Sequence, residues 1–353
     1  MTAQIPTFVL GGRGYVAGEL LRLIAGHPRF KLAAVLSDSR PGEPVARAFP
    51  HLASAYADTA FSSFDAIERE VAQALECAIF SAAPHGASAE LIDTLLNKAT
   101  SAGTRARVVD ISADFRHRSS AAYQSLYQHP HAAPARLAEF TCALPEHLAV
   151  LKTPHVAHPG CFATATLLAC VPLVSLGLTQ SRFFVTGITG STGSGRTPTD
   201  ATHHPLRHAD LYTYNALIHR HQPEIAACIQ SACGVETEVA FVPHSGPFAR
   251  GIHVTVQAEL TAAHDSAAVV AALRSFYGNA AFVRVTESAP RLKDVVASNY
   301  AHLSAATNGR TVAVMCVIDN LTKGAAGGAL QWMNRLFDLP ETTGLTASAP
   351  GWT

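Results

Sequence analysis

Apolar residues along the chain fall into short unbroken runs, each closed by glycine, proline or a small polar residue. Residues 7–10 form the first run, which passes through Gly11-Gly12-Arg13-Gly14-Tyr15-Val16-Ala17-Gly18 into the helical pattern Glu19-Leu20-Leu21-Arg22-Leu23-Ile24. Residues 31–36, 78–83 and 107–111 repeat the strand signal, and residues 89–96 carry a helical pattern between them. Apolar strands alternating with helices predict a Rossmann-type α/β fold, a doubly wound parallel sheet.

The pattern changes after Pro159-Gly160. These two residues break the chain before an Ala- and Leu-rich segment, so a helix is expected to begin at or just after Cys161. Beyond Val171-Pro172, residues 182–188, 241–244 and 252–256 read as sheet strands, and residues 311–318 as a buried one. A helix over 329–337 follows, with Pro340 shortly after it. The second half is therefore expected as an α+β catalytic domain on a mainly antiparallel sheet. The predicted boundaries are 1–157 for the nucleotide domain, 158–323 for the catalytic and dimerisation domain, and 324–353 for a helix and tail returning to the first.

Composition narrows the ligand. A chain of 353 residues exceeds what one core usually serves. Lys+Arg and Asp+Glu both number 26, so neither nucleic acid nor a membrane surface finds an electrostatic footprint, and a small molecule is expected instead. Seven scattered cysteines without CxxC spacing suggest neither a disulfide framework nor a metal site. With no signal pattern and no spanning segment, a cytoplasmic protein is expected.

Several stretches carry chemistry. Gly12, Gly14 and Ala17 fit G-x-G-x-x-A between strand and helix, where backbone N–H groups approach a pyrophosphate. After the second strand, Asp38 suits a free ribose 2′-hydroxyl, while Arg40 with Ser37 and Ser39 suits a 2′-phosphate, the reading favoured here. Pro84-His85-Gly86 lies at a strand's C-terminal end, where open α/β sheets bind ligands. Gly190-Ser191-Thr192-Gly193-Ser194-Gly195-Arg196 is a second glycine loop, and two such loops suggest a site between domains. Cys161 at a helix N-terminus is a candidate nucleophile, because unpaired N–H groups and the macrodipole favour the thiolate. His219 and His221 are candidate general acid/base groups.

These stretches closely resemble the N-acetyl-γ-glutamyl-phosphate reductases, within the aspartate-semialdehyde dehydrogenase-like group. The resemblance runs over nearly the whole chain. It is carried by Gly14-Tyr15, Pro84-His85-Gly86, Asp110-Ile111-Ser112-Ala113-Asp114-Phe115-Arg116, Leu144-Pro145-Glu146 and Pro159-Gly160-Cys161-Phe162-Ala163-Thr164. Gly193-Ser194-Gly195-Arg196, His219-Arg220-His221-Gln222-Pro223-Glu224-Ile225 and the run from Ile318 to Gly327 complete it.

The resemblance implies NADP(H)-dependent reduction of an acyl phosphate through a Cys161 thioester, with His221 as acid/base and His219 as runner-up. It implies a cofactor held by Gly12, Arg13, Gly14, Tyr15, Val16, Ser37, Arg40, Pro84, Gly193, Gly195 and Asn320. Substrate would meet Arg116, Arg196, Arg220 and Glu224, with no metal, in a homodimer or homotetramer. The alternative is a related dehydrogenase acting on aspartyl phosphate or on a lysine-pathway N-acyl-aminoadipyl phosphate. A Cys161–His221 hydrolase would leave both glycine loops superfluous, and a silent nucleotide-binding regulator would not need Cys161.

Overall fold

The computed structural model describes residues 4–352. Contacts divide the chain into two units: one holds the residues through Cys142 with Val150–His158 and Ala326–Leu345, and the other holds Ala143–Ala149, Pro159–Ala325 and the residues from Thr346 on.

In the first unit the elements run β1 (Ile5–Leu10), α1 (Tyr15–Ala25), β2 (Phe30–Val35), α2 (Val45–Ala48), α3 (Phe64–Gln73), β3 (Glu76–Ser81), α4 (Ser88–Ala102), β4 (Arg105–Asp110), α5 (Ser120–Tyr127), β5 (Phe140–Cys142) and β6 (His155–Ala157). The six strands form an all-parallel Rossmann-like sheet in the order β2-β1-β3-β4-β6-β5. Five consecutive residues of β3, Cys77 to Ser81, are buried, as a parallel strand covered on both faces requires. α1 turns Ala17, Leu20, Leu21 and Ile24 inward, and Gly18 is bare because a Cβ there would lie 2.6 Å from the Phe49 ring.

The second unit continues with α6 (Cys161–Ser175), β7 (Arg182–Thr189), α7 (His204–Arg207), β8 (Tyr212–Thr213), α8 (His221–Cys233), β9 (Glu238–Ser245), β10 (Ile252–His264), α9 (Ser266–Phe276), β11 (Val283–Val285), β12 (Ala301–Thr307) and β13 (Gly309–Ile318). Its seven strands pair in the order β11-β12-β13-β10-β7-β9-β8. β11 with β12 and β7 with β9 are parallel, and the other pairs are antiparallel, so the sheet is mixed and mostly antiparallel. α10 (Gly327–Leu336) belongs to the first unit, where it packs on β4 and α1. The expected helix at 329–337 thus begins two residues earlier, and a π-helical turn, Thr322–Ala326, precedes it.

α6 is the pivot of the second unit. Every residue from Phe162 to Leu173 is buried, so the helix has no solvent face. Pro172 lies inside it and lacks the N–H that would bond to the carbonyl of Leu168. The Tyr277 hydroxyl donates to that carbonyl at 2.7 Å, while His147 Nε2 lies 2.9 Å from the same hydroxyl. Since the tyrosine proton is committed to Leu168, His147 donates. Burial depresses the His147 pKa to about 4, the neighbouring Glu146 and Lys323 acting in opposite directions, so the ring stays neutral and keeps one N–H for this bond. Tyr277→Phe strands both groups and is expected to lower unfolding stability by about 1–3 kcal/mol. Urea denaturation of the variant measures it, and an unchanged midpoint would show that the pair does not matter.

Candidate active site

In the first unit the chain turns sharply at the end of β1. Gly11 has φ +74°, and a Cβ on it would lie 2.5 Å from the backbone of Ala83. A Cβ on Gly12 would lie 2.5 Å from Val35 and 2.6 Å from the Leu36 carbonyl oxygen, whereas one on Gly14 would meet no atom within 4 Å. Two glycines are therefore demanded by packing, and the third leaves the approach to α1 open. Gly14 caps α1 with no side-chain hydrogen bond, so the first-turn N–H groups are left for an anion. Tyr15 is exposed and Val16 partly so.

At the end of β2, Ser37 is buried and Arg40 exposed. Glu43 is the centre of a guanidinium cluster: Arg13 Nη1 donates to it at 2.5 Å, and Arg40 and Arg47 lie 3.8 and 3.7 Å away. Pro84 is exposed at the tip of the β3–α4 turn. Asp114 holds this turn by accepting from the Gly86 and Ala89 N–H groups, and His85 Nδ1 accepts from Ala113 N. Asp110, fully buried, accepts from the Ser88 hydroxyl and the Ser112 N–H; burial, with Asp114 nearby, raises its pKa to about 6. The charged strand tip is thus a brace for the turn. Glycines where packing allows nothing larger and an uncapped helix start together fit the pyrophosphate of a dinucleotide.

In the second unit Cys161 is the first residue of α6, behind Gly160, and its first turn carries no side-chain cap. Cys161 is partly exposed, whereas Cys77, Cys170, Cys228 and Cys316 are buried. Desolvation raises the Cys77 thiol to about 12 and pushes Cys170 and Cys316 upward as well, so those three stay protonated. The Gly160 N–H donates to Glu224 Oε1 at 2.6 Å, tying the start of α6 to α8.

The Phe162 ring holds the histidines: its centroid lies 6.0 Å from His219, 6.4 Å from His221 and 5.0 Å from Phe241. Gly187 makes room for it, since a Cβ there would stand 2.5 Å from Phe162. His219 and His221 are both buried, with ring centroids 4.7 Å apart. The His221 N–H donates to His219 Nδ1 at 3.2 Å, which leaves the His219 proton on Nε2. Burial first, and Arg220 second, lower the His219 pKa to about 4. His219 is therefore a neutral donor near pH 7.

Four expected ligand-binding residues are otherwise engaged. Glu224 is 1% exposed and holds Gly160. Arg116 spends its fork on backbone, with Nε on the His158 carbonyl at 3.0 Å and Nη2 on that of Ile111 at 2.8 Å. Asn320 accepts from Gly251 N at 2.7 Å and donates to Thr192 Oγ1 at 3.0 Å, so it anchors the second glycine loop. The fourth, Arg13, faces Glu43. Arg196 and Arg220 are exposed, as are Gly193 and Gly195, the latter at φ +84°. That loop is fixed, because Ser191 and Thr192 bond to the backbone of Phe248 and Ala249.

Sequence reasoning gave Glu146 and Lys323 no role, yet they form an ion pair at 2.5 Å with both side chains 1% exposed, the ammonium 5.7 Å from the Phe282 ring. A lysine inside a run of small residues was the available signal. The pair fixes the π-helical turn, in which Gly324 N bonds to the Asp319 carbonyl. A Cβ on Gly324 would stand 2.8 Å from that of Cys161. Among the described residues there is neither a His, Cys, Asp and Glu cluster able to hold a metal nor a helix long and apolar enough to cross a membrane.

Residues 7–147 match the semialdehyde dehydrogenase NAD binding domain and residues 161–320 the semialdehyde dehydrogenase dimerisation domain. Proteins named N-acetyl-gamma-glutamyl-phosphate reductase are similar over almost the full length. That of Brevibacillus brevis is 36% identical, with 96% of each chain covered, and that of Methanopyrus kandleri 37%, with 98% of each covered. The structure of aspartate semialdehyde dehydrogenase II from Vibrio cholerae is similar in fold, with TM-score 0.69 at 15% identity over 96% of this chain and 99% of that one.

Gly324→Ala is expected to displace Cys161 and lower kcat about tenfold or more, as a misplaced reacting group does, while KM stays within about twofold. Steady-state kinetics checks it, and an unchanged kcat would show that the close approach is idle.

Proposed function

The chain belongs to the N-acetyl-γ-glutamyl-phosphate reductase family of semialdehyde dehydrogenases, and from that premise we propose that it reduces N-acetyl-γ-glutamyl phosphate to N-acetylglutamate semialdehyde with release of phosphate. The observation that carries the mechanism is a partly exposed thiol at an uncapped helix start, in the same unit as the paired rings of His219 and His221. Cys161 Sγ forms a bond to the acyl carbon, and the C–O bond to phosphate breaks with its electron pair on the leaving oxygen, giving a thioester. The exposed Arg196 and Arg220 answer the leaving phosphate. Gly12, Gly14 and the first turn of α1 would hold the nicotinamide dinucleotide, which would supply the hydride. His221 gives the proton that neutralises the resulting oxyanion and takes it back as the C–S bond breaks, while His219 donates from Nε2 throughout. Glu224 and Gly324 hold the thiol in place and are positioning residues.

Two further features belong to this reading. The Arg13, Arg40 and Arg47 guanidiniums around Glu43 support NADPH over NADH, since a 2′-phosphate is the group such a cluster suits. The match of residues 161–320 to a dimerisation domain supports a homodimer or homotetramer.

A coupled assay with N-acetylglutamyl phosphate, following each reduced cofactor by absorbance, is the test. Oxidation of NADPH is expected at a kcat/KM about tenfold or more above that with NADH, equivalent to about 1.4 kcal/mol of discrimination, and Cys161→Ser abolishes it. Turnover of aspartyl phosphate alone, or undiminished turnover by Cys161→Ser, would overturn the assignment.

A further inference from the structure

Arg207 closes the short helix α7 within a stretch, residues 196–218, whose residues are mostly exposed, yet it is itself only 8% exposed. Its Nη1 donates to the Asp210 carbonyl at 3.0 Å, and its guanidinium lies 6.0 Å from the centroid of the Tyr212 ring. Nε and Nη2 reach no acceptor, and among the described residues no carboxylate pairs with it. A buried charge without a counter-ion is costly, and proteins rarely leave one so unless a ligand supplies the missing anion. The vacant edge is informative. Nε and Nη2 are the two parallel donors with which Arg250 grips both oxygens of Asp319, at 2.9 and 3.0 Å. The empty fork on Arg207 is thus shaped for a carboxylate or another planar pair of oxyanion oxygens.

Its place relative to the nucleophile selects between the two anions of the substrate. Tyr212 joins the main sheet opposite Ser245, and the next backbone contact is Tyr214 N to the Pro243 carbonyl. Tyr214 lies 5.7 Å, ring to ring, from His219, and its phenol is pushed upward by burial and by the charges of Cys161 and Tyr212. Arg207 thus lies against Tyr212, two residues along the chain from Tyr214, which lies against His219 and feels the charge of Cys161. The phosphate is bonded to the carbon that Cys161 attacks, so its partners must lie beside the sulfur. A cation that lies against Tyr212, outside the Phe162, His219 and His221 ring cluster, suits the anion at the other end.

We propose that Arg207 binds the carboxylate of the acyl phosphate substrate, at the end remote from the reacting carbon. The assignment rests on the activity proposed above and adds the residue that reads the far end of the molecule.

The experiment runs the reaction in reverse, with N-acetylglutamate semialdehyde, inorganic phosphate and NADP+, on wild type, Arg207→Lys and Arg207→Met. KM for the semialdehyde is expected to rise about 10- to 100-fold in both variants, the range of a lost charged hydrogen-bond pair, with KM for phosphate within about twofold. Without ligand, Arg207→Met is expected to melt at or above the wild-type temperature, because it removes an unpaired buried charge. N-acetylglutamate should raise the melting temperature of wild type and not of Arg207→Met.

An unchanged semialdehyde KM, a rise in the phosphate KM instead, or a lower melting temperature for Arg207→Met with its response to N-acetylglutamate intact would overturn the proposal. The last result would make Arg207 a structural residue or one that meets a second copy of the chain. If wild type turns over neither substrate, the proposed activity fails, and the melting response to N-acetylglutamate still decides the role of Arg207.

Discussion

The hydrogen bond from the Gly160 N–H to Glu224 is the contact on which the catalytic unit depends. A helix with one apolar face is oriented by that face, but α6 is buried all round from Phe162 to Leu173 and has no such guide. Its register is set by a few directional contacts: Glu224 at its start, the Tyr277 hydroxyl on the carbonyl that Pro172 leaves open, and the close approach of Gly324 to Cys161. Each is buried, where an unmet polar group or a clash is costly. The thiol's position follows from them.

A second theme is how the charged groups are apportioned. Arg116 and Arg250 are held by internal acceptors, and Lys323 and Glu146 by one another. Arg116 ties the end of β4 to the segment before α6, Arg250 ties the segment after the second glycine loop to Asp319, and the buried Lys323–Glu146 pair fixes the π-helical turn. Buried pairs add little net stability over apolar packing but penalise any arrangement that separates them, which is what a precise site requires. Arg196 and Arg220 are exposed, while His219 is held neutral by burial and accepts the His221 backbone N–H.

Much of this was legible in the sequence, and the limits have physical causes. Strands β1 and β3 announce themselves because their buried stretches are largely apolar, β2 and β4 do so through the apolar pairs at 34–35 and 108–109, and the break at Pro159-Gly160 fixes the start of α6. Strands β5, β6, β8 and β11, two or three residues long, are too short to show a period. The candidate residues lay at functional-looking loops, but the motif could not separate those that meet a ligand from those that hold the loop. Glu224, Arg116 and Asn320 carry the residue types expected on a ligand and also satisfy buried backbone or side-chain groups. Arg207 gave no signal, since its neighbours are exposed and its burial arises only from tertiary packing.

The central claim is that covalent chemistry occurs on one sulfur, that of Cys161, before any hydride moves. The direct measurement is peptide mass spectrometry of the enzyme mixed with N-acetylglutamyl phosphate in the absence of reduced cofactor. The expected result is stoichiometric release of phosphate and an acyl adduct, cleaved by hydroxylamine, on the peptide containing Cys161. An adduct on another cysteine, or continuous phosphate release with no adduct, would contradict it.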